Sequence, residues 1–155
     1  MKKLLCFLLI IATFLGTTIK VDATTRVQKE TTYIKSLYFV HGKLYGKFDY
    51  IQWYFGKDAD REFLKDCPEC KKQGMTSPPD MYYIRNVNKR IRTIQISSKA
   101  QYILQTRGDD IKWNEKVNQK HFLEFTKKKG VPYSLPFHIE LKNGVITKIT
   151  EQYVP

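Results

Sequence analysis

From residue 32 onward, hydrophobic and polar positions along the chain follow a period of two over long stretches. "TYIKSLYFVHG" (32–42) and "KLYGKFDYIQWYF" (43–55) are rich in aromatic and β-branched residues. Their partial alternation predicts two strands joined by a turn at His41-Gly42-Lys43. Ile34, Leu37, Phe39, Leu44, Phe48, Tyr50 and Trp53 are the expected core positions. At Gly56 the period changes. "GKDADREFLKDC" (56–67) predicts a short helix of about two turns, with Asp58 as its N-cap. Ala59, Phe63 and Leu64 fall on one side, and the acidic first turn suits the helix dipole. Pro68 disfavours helical geometry at Cys67, so the helix should end there.

"KKQGMTSPPD" (71–80) reads as a loop, since Gly74, Pro78 and Pro79 punctuate it. "MYYIRNV" (81–87) predicts a strand and "NKR" (88–90) a turn. "IRTIQISS" (91–98) alternates cleanly, with Ile91, Thr93, Gln95 and Ser97 on one face and Arg92, Ile94 and Ile96 on the other. "QYILQT" (101–106) predicts a further strand, and Gly108-Asp109-Asp110 a turn. Between 111 and 129, Asn118 can cap a helix that turns Phe122 and Phe125 inward. Lys127, Lys128 and Lys129 suit its C-terminus, with Gly130 as the stop. "PFHIELKNGVITKITEQY" (136–153) is two alternating runs across Asn143-Gly144, a preferred two-residue hairpin turn. Phe137, Ile139 and Leu141 alternate with His138, Glu140 and Lys142, and Val145 and Thr147 with Ile146, Lys148 and Thr150. In total the pattern predicts about six or seven short strands and one or two short helices. The fold class is α+β and mainly antiparallel, a curled sheet or small barrel.

The first residues break this pattern and change the picture. Met1-Lys2-Lys3 is basic, and Leu4 to Leu15 is uncharged and apolar. Ala23 follows "GTTIKVD". This is the pattern of a signal peptide over 1–23, cut near Ala23, and predicts a secreted, extracellular protein. The apolar run is short for a bilayer span, which takes about 20 residues. Cys6 lies near its start, away from the cut where a lipid anchor would need a cysteine. Residues 24–32, "TTRVQKETT", read as a flexible leader, and 33–155 as a single β-rich domain.

Charge adds a partner class. The 155-residue chain carries a formal net charge of +12. Leaving out Lys2, Lys3, Lys20 and Asp22 lowers it only to +10, so the excess belongs to the exported part. Such a balance favours polyanions outside the cell: an anionic envelope polymer, anionic lipid or nucleic acid. Tyr82, Tyr83, Arg85, Lys89, Arg90 and Arg92 cluster along two predicted strands. Aromatic faces beside guanidinium groups can stack on bases or sugars, so these six residues are the candidate binding surface. The plainer alternative has one tyrosine in the core and the cations solvated.

Few catalytic constellations are present. Cys67-Pro68-Glu69-Cys70 could be a redox pair, half a zinc site or a structural staple. Zinc needs four ligands, and none of His41, His121 and His138 sits in an H-x-x-H or H-x-x-x-H pair that could complete the two cysteines, so no metal or other cofactor is expected. A redox pair is disfavoured because the predicted helix precedes Cys67, and its dipole would oppose a thiolate there. A small Cys67–Cys70 disulfide at the helix end is the expectation. No G-x-S-x-G elbow, calcium loop or phosphate loop appears. A His41–Asp49 base pair is conceivable, but Asp49 in a strand pattern reads as solvent-facing.

Three blocks, "FDYIQWYFGKDADREF", "PPDMYYIRNVNKRIRTIQIS" and "PFHIELKNGVITKITEQYVP", together resemble a group of small exported proteins of Gram-positive bacteria with no assigned activity. That group pairs an aspartate-aromatic strand and a G-x-x-A helix start with a later Y-Y-I-x-N and R-T block, and closes on E-Q-Y-x-P. Some of its members look like lipoproteins, whereas this chain has no cysteine at the cut site. The resemblance covers most of the chain after the signal segment and implies an exported β-rich domain, with no functional residues attached. The expected function is a secreted, non-catalytic binding module of the cell envelope. The alternatives are a thiol-disulfide exchanger using Cys67 and Cys70, and an inhibitor or partner of another exported protein.

Overall fold

The computed structural model describes residues 26–107, 110–129 and 135–155. Its elements are β1 (Gln28–Val40), β2 (Lys43–Phe55), α1 (Lys57–Asp66), α2 (Pro68–Lys72) and β3 (Tyr82–Arg85). They continue with β4 (Ile91–Arg107), β5 (Asp110–Val117), α3 (Gln119–Lys128), β6 (Pro136–Lys142) and β7 (Val145–Glu151). The expected small α+β barrel is what forms. The strand order is β3-β2-β1-β6-β7-β4-β5, and a further pairing of β2 with β4 closes five strands into a barrel. β3 extends it along β2, and β5 along β4. All pairings are antiparallel except β4 with β7. The barrel strands, counted among themselves, close in the order first, second, third, fifth, fourth, first.

Closure is made possible by the length of β4. Ile91–Ile96 pairs with β2, and Tyr102–Arg107 pairs with β5. The two runs expected as separate strands are one strand of 17 residues. Its ladder with β7 shifts register between Ile96 and Gln101. A second irregularity leaves Gln105 unmatched against β5. There the buried Glu151 carboxylate replaces the ladder. Its Oε2 accepts from the amides of Gln105 (2.6 Å) and Thr106 (3.0 Å), and its Oε1 accepts from the Thr106 hydroxyl (2.7 Å). Three donors compensate a carboxylate taken out of water.

The core fills the barrel with Ile34, Leu44, Phe48, Ile96, Leu104, Ile139, Leu141, Ile146 and Ile149. Helix α3 closes one end, as its apolar spacing predicts. Asn118 caps it by accepting from the His121 amide at 2.9 Å. Phe122 is fully buried, stacked on Tyr102 at 4.6 Å and edge-on to Phe137 at 6.1 Å. Gly46 is required by a close approach: a Cβ there would lie 2.6 Å from the Phe48 ring. Both predicted hairpin turns occur, with positive φ at His41 and Gly42 and at Asn143 and Gly144, as tight two-residue turns demand.

Several expectations are corrected. Strand β1 begins at Gln28, so Gln28–Thr32 is not a leader: it pairs with Leu141–Phe137 of β6. Pairing with a strand more than 100 residues away is invisible to local composition. Phe39 is 55% exposed rather than core, because it lies at the end of β1 beyond the filled interior. Helix α1 starts at Lys57 with Gly56 as its N-cap, so Asp58 lies inside the first turn. Asp110 opens β5, a strand not anticipated. The turn positions Gly108 and Asp109, the helix stop Gly130 and the signal segment with its cut lie outside the described residues. No helix among those described is long and apolar enough to cross a membrane.

Candidate ligand-binding face

The six residues expected to form one surface are divided among three environments. Tyr83 and Arg85 turn toward α1. The Tyr83 hydroxyl donates to Asp66 Oδ2 at 2.9 Å, and its ring meets Phe63 edge-on at 5.8 Å. Arg85 donates to Asp66 through Nε and Nη2, pairs with Glu62 at 2.9 Å, and lies 5.4 Å from the Tyr54 ring centre. Its charge is consumed in fastening the helix. Tyr82 stacks on Trp53 at 4.7 Å with the rings 14° from parallel. Arg92 lies on the inner side of β4, opposite Phe48, with its guanidinium 4.1 Å from the Tyr50 ring centre. Lys89 and Arg90 alone of the six are exposed.

These two lead directly onto a surface not picked out from the sequence. On the outer face of the β2–β4 ribbon, Asp49 faces Ile91, Lys47 faces Thr93 and Tyr45 faces Gln95. Across β2, Tyr45 also faces Tyr38 of β1, their rings 6.3 Å apart and 21° from parallel. The Tyr45 hydroxyl donates to Gln95 Oε1 at 3.3 Å. Lys43 and Lys47 are exposed, and neither pairs with a carboxylate among the described residues. Arg90 and Lys89 stand at one end of this strip, Lys47 in the middle and Lys43 at the other end. The strip is about 20 Å long, at 3.4 Å per antiparallel residue. A period of two in each strand marks these positions as one-sided, but their adjacency depends on β2 meeting β4 some 45 residues later.

Asp49, expected to face solvent and considered with His41, does neither. It is 4% exposed and held by Lys35 (3.5 Å) and by the Asn86 side-chain amide (2.9 Å). His41 sits in the β1–β2 turn, and no contact joins the two. The carboxylate instead secures the segment after β3 to the outside of the barrel.

Cys67 and Cys70 form a disulfide, as expected. Their setting is corrected. Cys67 is at once the C-cap of α1 and the N-cap of α2. Pro68 stops one helix and, with its fixed φ, starts the next. The dipole argument against a thiolate at Cys67 therefore has a counterpart of opposite sign from α2.

No family model, curated protein or solved structure matches the chain.

Proposed function

We propose that the protein is a secreted, non-catalytic binding module of the cell envelope, and that the outer strip of β2 and β4 holds an anionic polymer. The observation that carries this reading is the alignment of Lys43 and Lys47 on one face of β2, beside the Tyr38–Tyr45 ring pair. Cations neutralise a polyanionic backbone, and the tyrosine rings offer an apolar surface with a polar tip to the units between the charges. The net charge of +10 outside the signal segment adds long-range attraction. The order of the barrel strands is that of OB-type barrels. Those bind oligonucleotides and oligosaccharides on the face of the second and third strands, here β2 and β4. This fold-level analogy supports where a ligand would lie, and not which ligand it is. Export after cleavage near Ala23 and the resemblance to exported Gram-positive proteins support an envelope location.

The test is titration with poly(glycerol phosphate) across a salt series. Affinity should fall steeply as salt rises. Lys43→Glu with Lys47→Glu should weaken binding more than about tenfold and flatten the salt slope by about one unit per cation removed. Binding indifferent to salt, or to both charge reversals, would end this reading.

A second reading, thiol-disulfide exchange, has one observation behind it: an oxidised Cys67–Cys70 pair whose first cysteine caps a helix N-terminus. That helix has only five residues, which gives it a weak dipole.

A further inference from the structure

Both tryptophans of the chain line one groove, and Trp53 stands on β2 beyond Asp49. Trp53 lines two adjoining grooves, of about 550 and 490 Å³. The first is bounded by Thr31, Ile51, His138, Glu140 and Thr150, and the second by Phe55, Trp113, Gln152 and Tyr153. Trp113 is 62% exposed and Phe55 58%. Trp113 stands on β5, an edge strand that is otherwise mostly polar. Exposed rings gathered in one place mark a contact surface.

Each tryptophan is held by a tyrosine. Tyr82 stacks on Trp53 at 4.7 Å, and Tyr153 meets Trp113 edge-on at 5.1 Å. The rings are therefore fixed before any ligand arrives, which lowers the entropy cost of binding. The groove beside them is rich in hydrogen-bonding groups. Thr31 Oγ1 contacts His138 Nδ1 at 3.1 Å, and His138 Nε2 contacts Gln152 Oε1 at 2.7 Å. Opposite charges balance there: Glu140 pairs with Lys148 at 3.3 Å and faces Lys29 in register.

We propose that these two grooves form one site for a short stretch of uncharged oligosaccharide. A pyranose ring has an apolar C–H face and a rim of hydroxyls. The C–H faces match the rings of Trp53 and Trp113, and the hydroxyls match Thr31, Gln52, Glu140 and Thr150. The balanced charge selects against the polyanions suited to the β2–β4 strip, so the site stands independently of that reading. An apolar peptide would fit the second groove but make no use of the hydrogen-bonding side chains of the first.

Because Trp53 and Trp113 are the only tryptophans, fluorescence excited selectively at tryptophan reports on this site. The full-length protein is titrated with chitotetraose, cellotetraose and maltotetraose. At least one should shift the emission, and the response should persist at high salt. Trp113→Ala, a change at an exposed position, should keep the native circular dichroism and weaken binding about ten- to a hundredfold, the range for one lost stacking ring. Lys47→Glu should leave it unchanged. Silence with all three sugars up to about 10 mM, where even millimolar affinity would register, overturns the proposal. Undiminished binding by Trp113→Ala overturns it too. So does a self-association that Trp113→Ala abolishes, which would make this face a protein interface.

Discussion

Arg85 holds Asp66 with two parallel hydrogen bonds, Nε to Oδ2 at 2.6 Å and Nη2 to Oδ1 at 2.9 Å. A residue in a basic-aromatic run thereby becomes the fastening of α1 to β3. Bidentate pairing of this kind is geometrically specific as well as charged. Replacing Arg85 by alanine leaves Glu62 and Asp66 without their shared cation. The melting temperature should fall by several degrees, while affinity for poly(glycerol phosphate) stays at the wild-type value. Weaker polymer binding with an unchanged melting temperature would return Arg85 to the ligand surface.

The same cluster sets an acid limit. Hydrogen bonds from Arg85, the largest influence on both, hold the Glu62 and Asp66 carboxyls below their ordinary values of 4.5 and 3.8. The unfolded chain then binds more protons than the folded one, so stability rises with pH through this window. The contribution is fully present above the ordinary values and is lost as pH falls through the lowered folded ones. Thermal melts should be level near neutrality and decline below about pH 4, with a shallower decline in Arg85→Ala. Equal acid slopes in the two proteins would show that other carboxylates set the limit.

Removing the disulfide should cost little. Closing so short a loop constrains the unfolded chain by about 2 kcal/mol in the chain-entropy model. Cys67→Ser with Cys70→Ser should lower stability by no more than that and leave polymer binding intact. Thiol trapping across a glutathione series should place the pair below about −300 mV, as for a structural bond. A value between about −270 and −120 mV would favour the exchange reading.

Two substitutions at the α3 end of the barrel should diverge. Phe122→Ala empties a fully buried position and should cost about 3–5 kcal/mol in denaturant unfolding. Tyr102 is 3% exposed, and its hydroxyl has no hydrogen-bond partner among the described residues. Burial pushes its ionisation up to about 12. Tyr102→Phe removes an uncompensated polar atom and should be neutral or stabilising by up to about 1 kcal/mol. A clear loss of stability would mean that the hydroxyl is hydrogen-bonded through water.

Legibility followed the range of the interactions. The Asn143-Gly144 hairpin and α3 with its Asn118 cap were readable because their determinants lie within a few residues of one another. The alternation of "IRTIQISS" assigned its two faces correctly for the same reason. Strand β5 was missed: Ile111, Trp113 and Glu115 are mostly exposed or half-buried, so burial leaves no period to read. The six residues expected as one surface are divided because proximity in sequence is not proximity in space. Tyr83 and Arg85 follow α1 by about twenty residues, and a local pattern cannot show that β3 returns them to that helix.

By itself, the sequence determined the strand-rich character, the helix that closes the barrel, both tight turns and the basic excess. Each is a property of short segments or of total composition. The tertiary structure alone decided that β2 meets β4, which cations remain exposed, and that Trp53 and Trp113 line one groove. Those outcomes depend on barrel closure. A strand's period says which side chains share a face, but only its partners decide what that face meets.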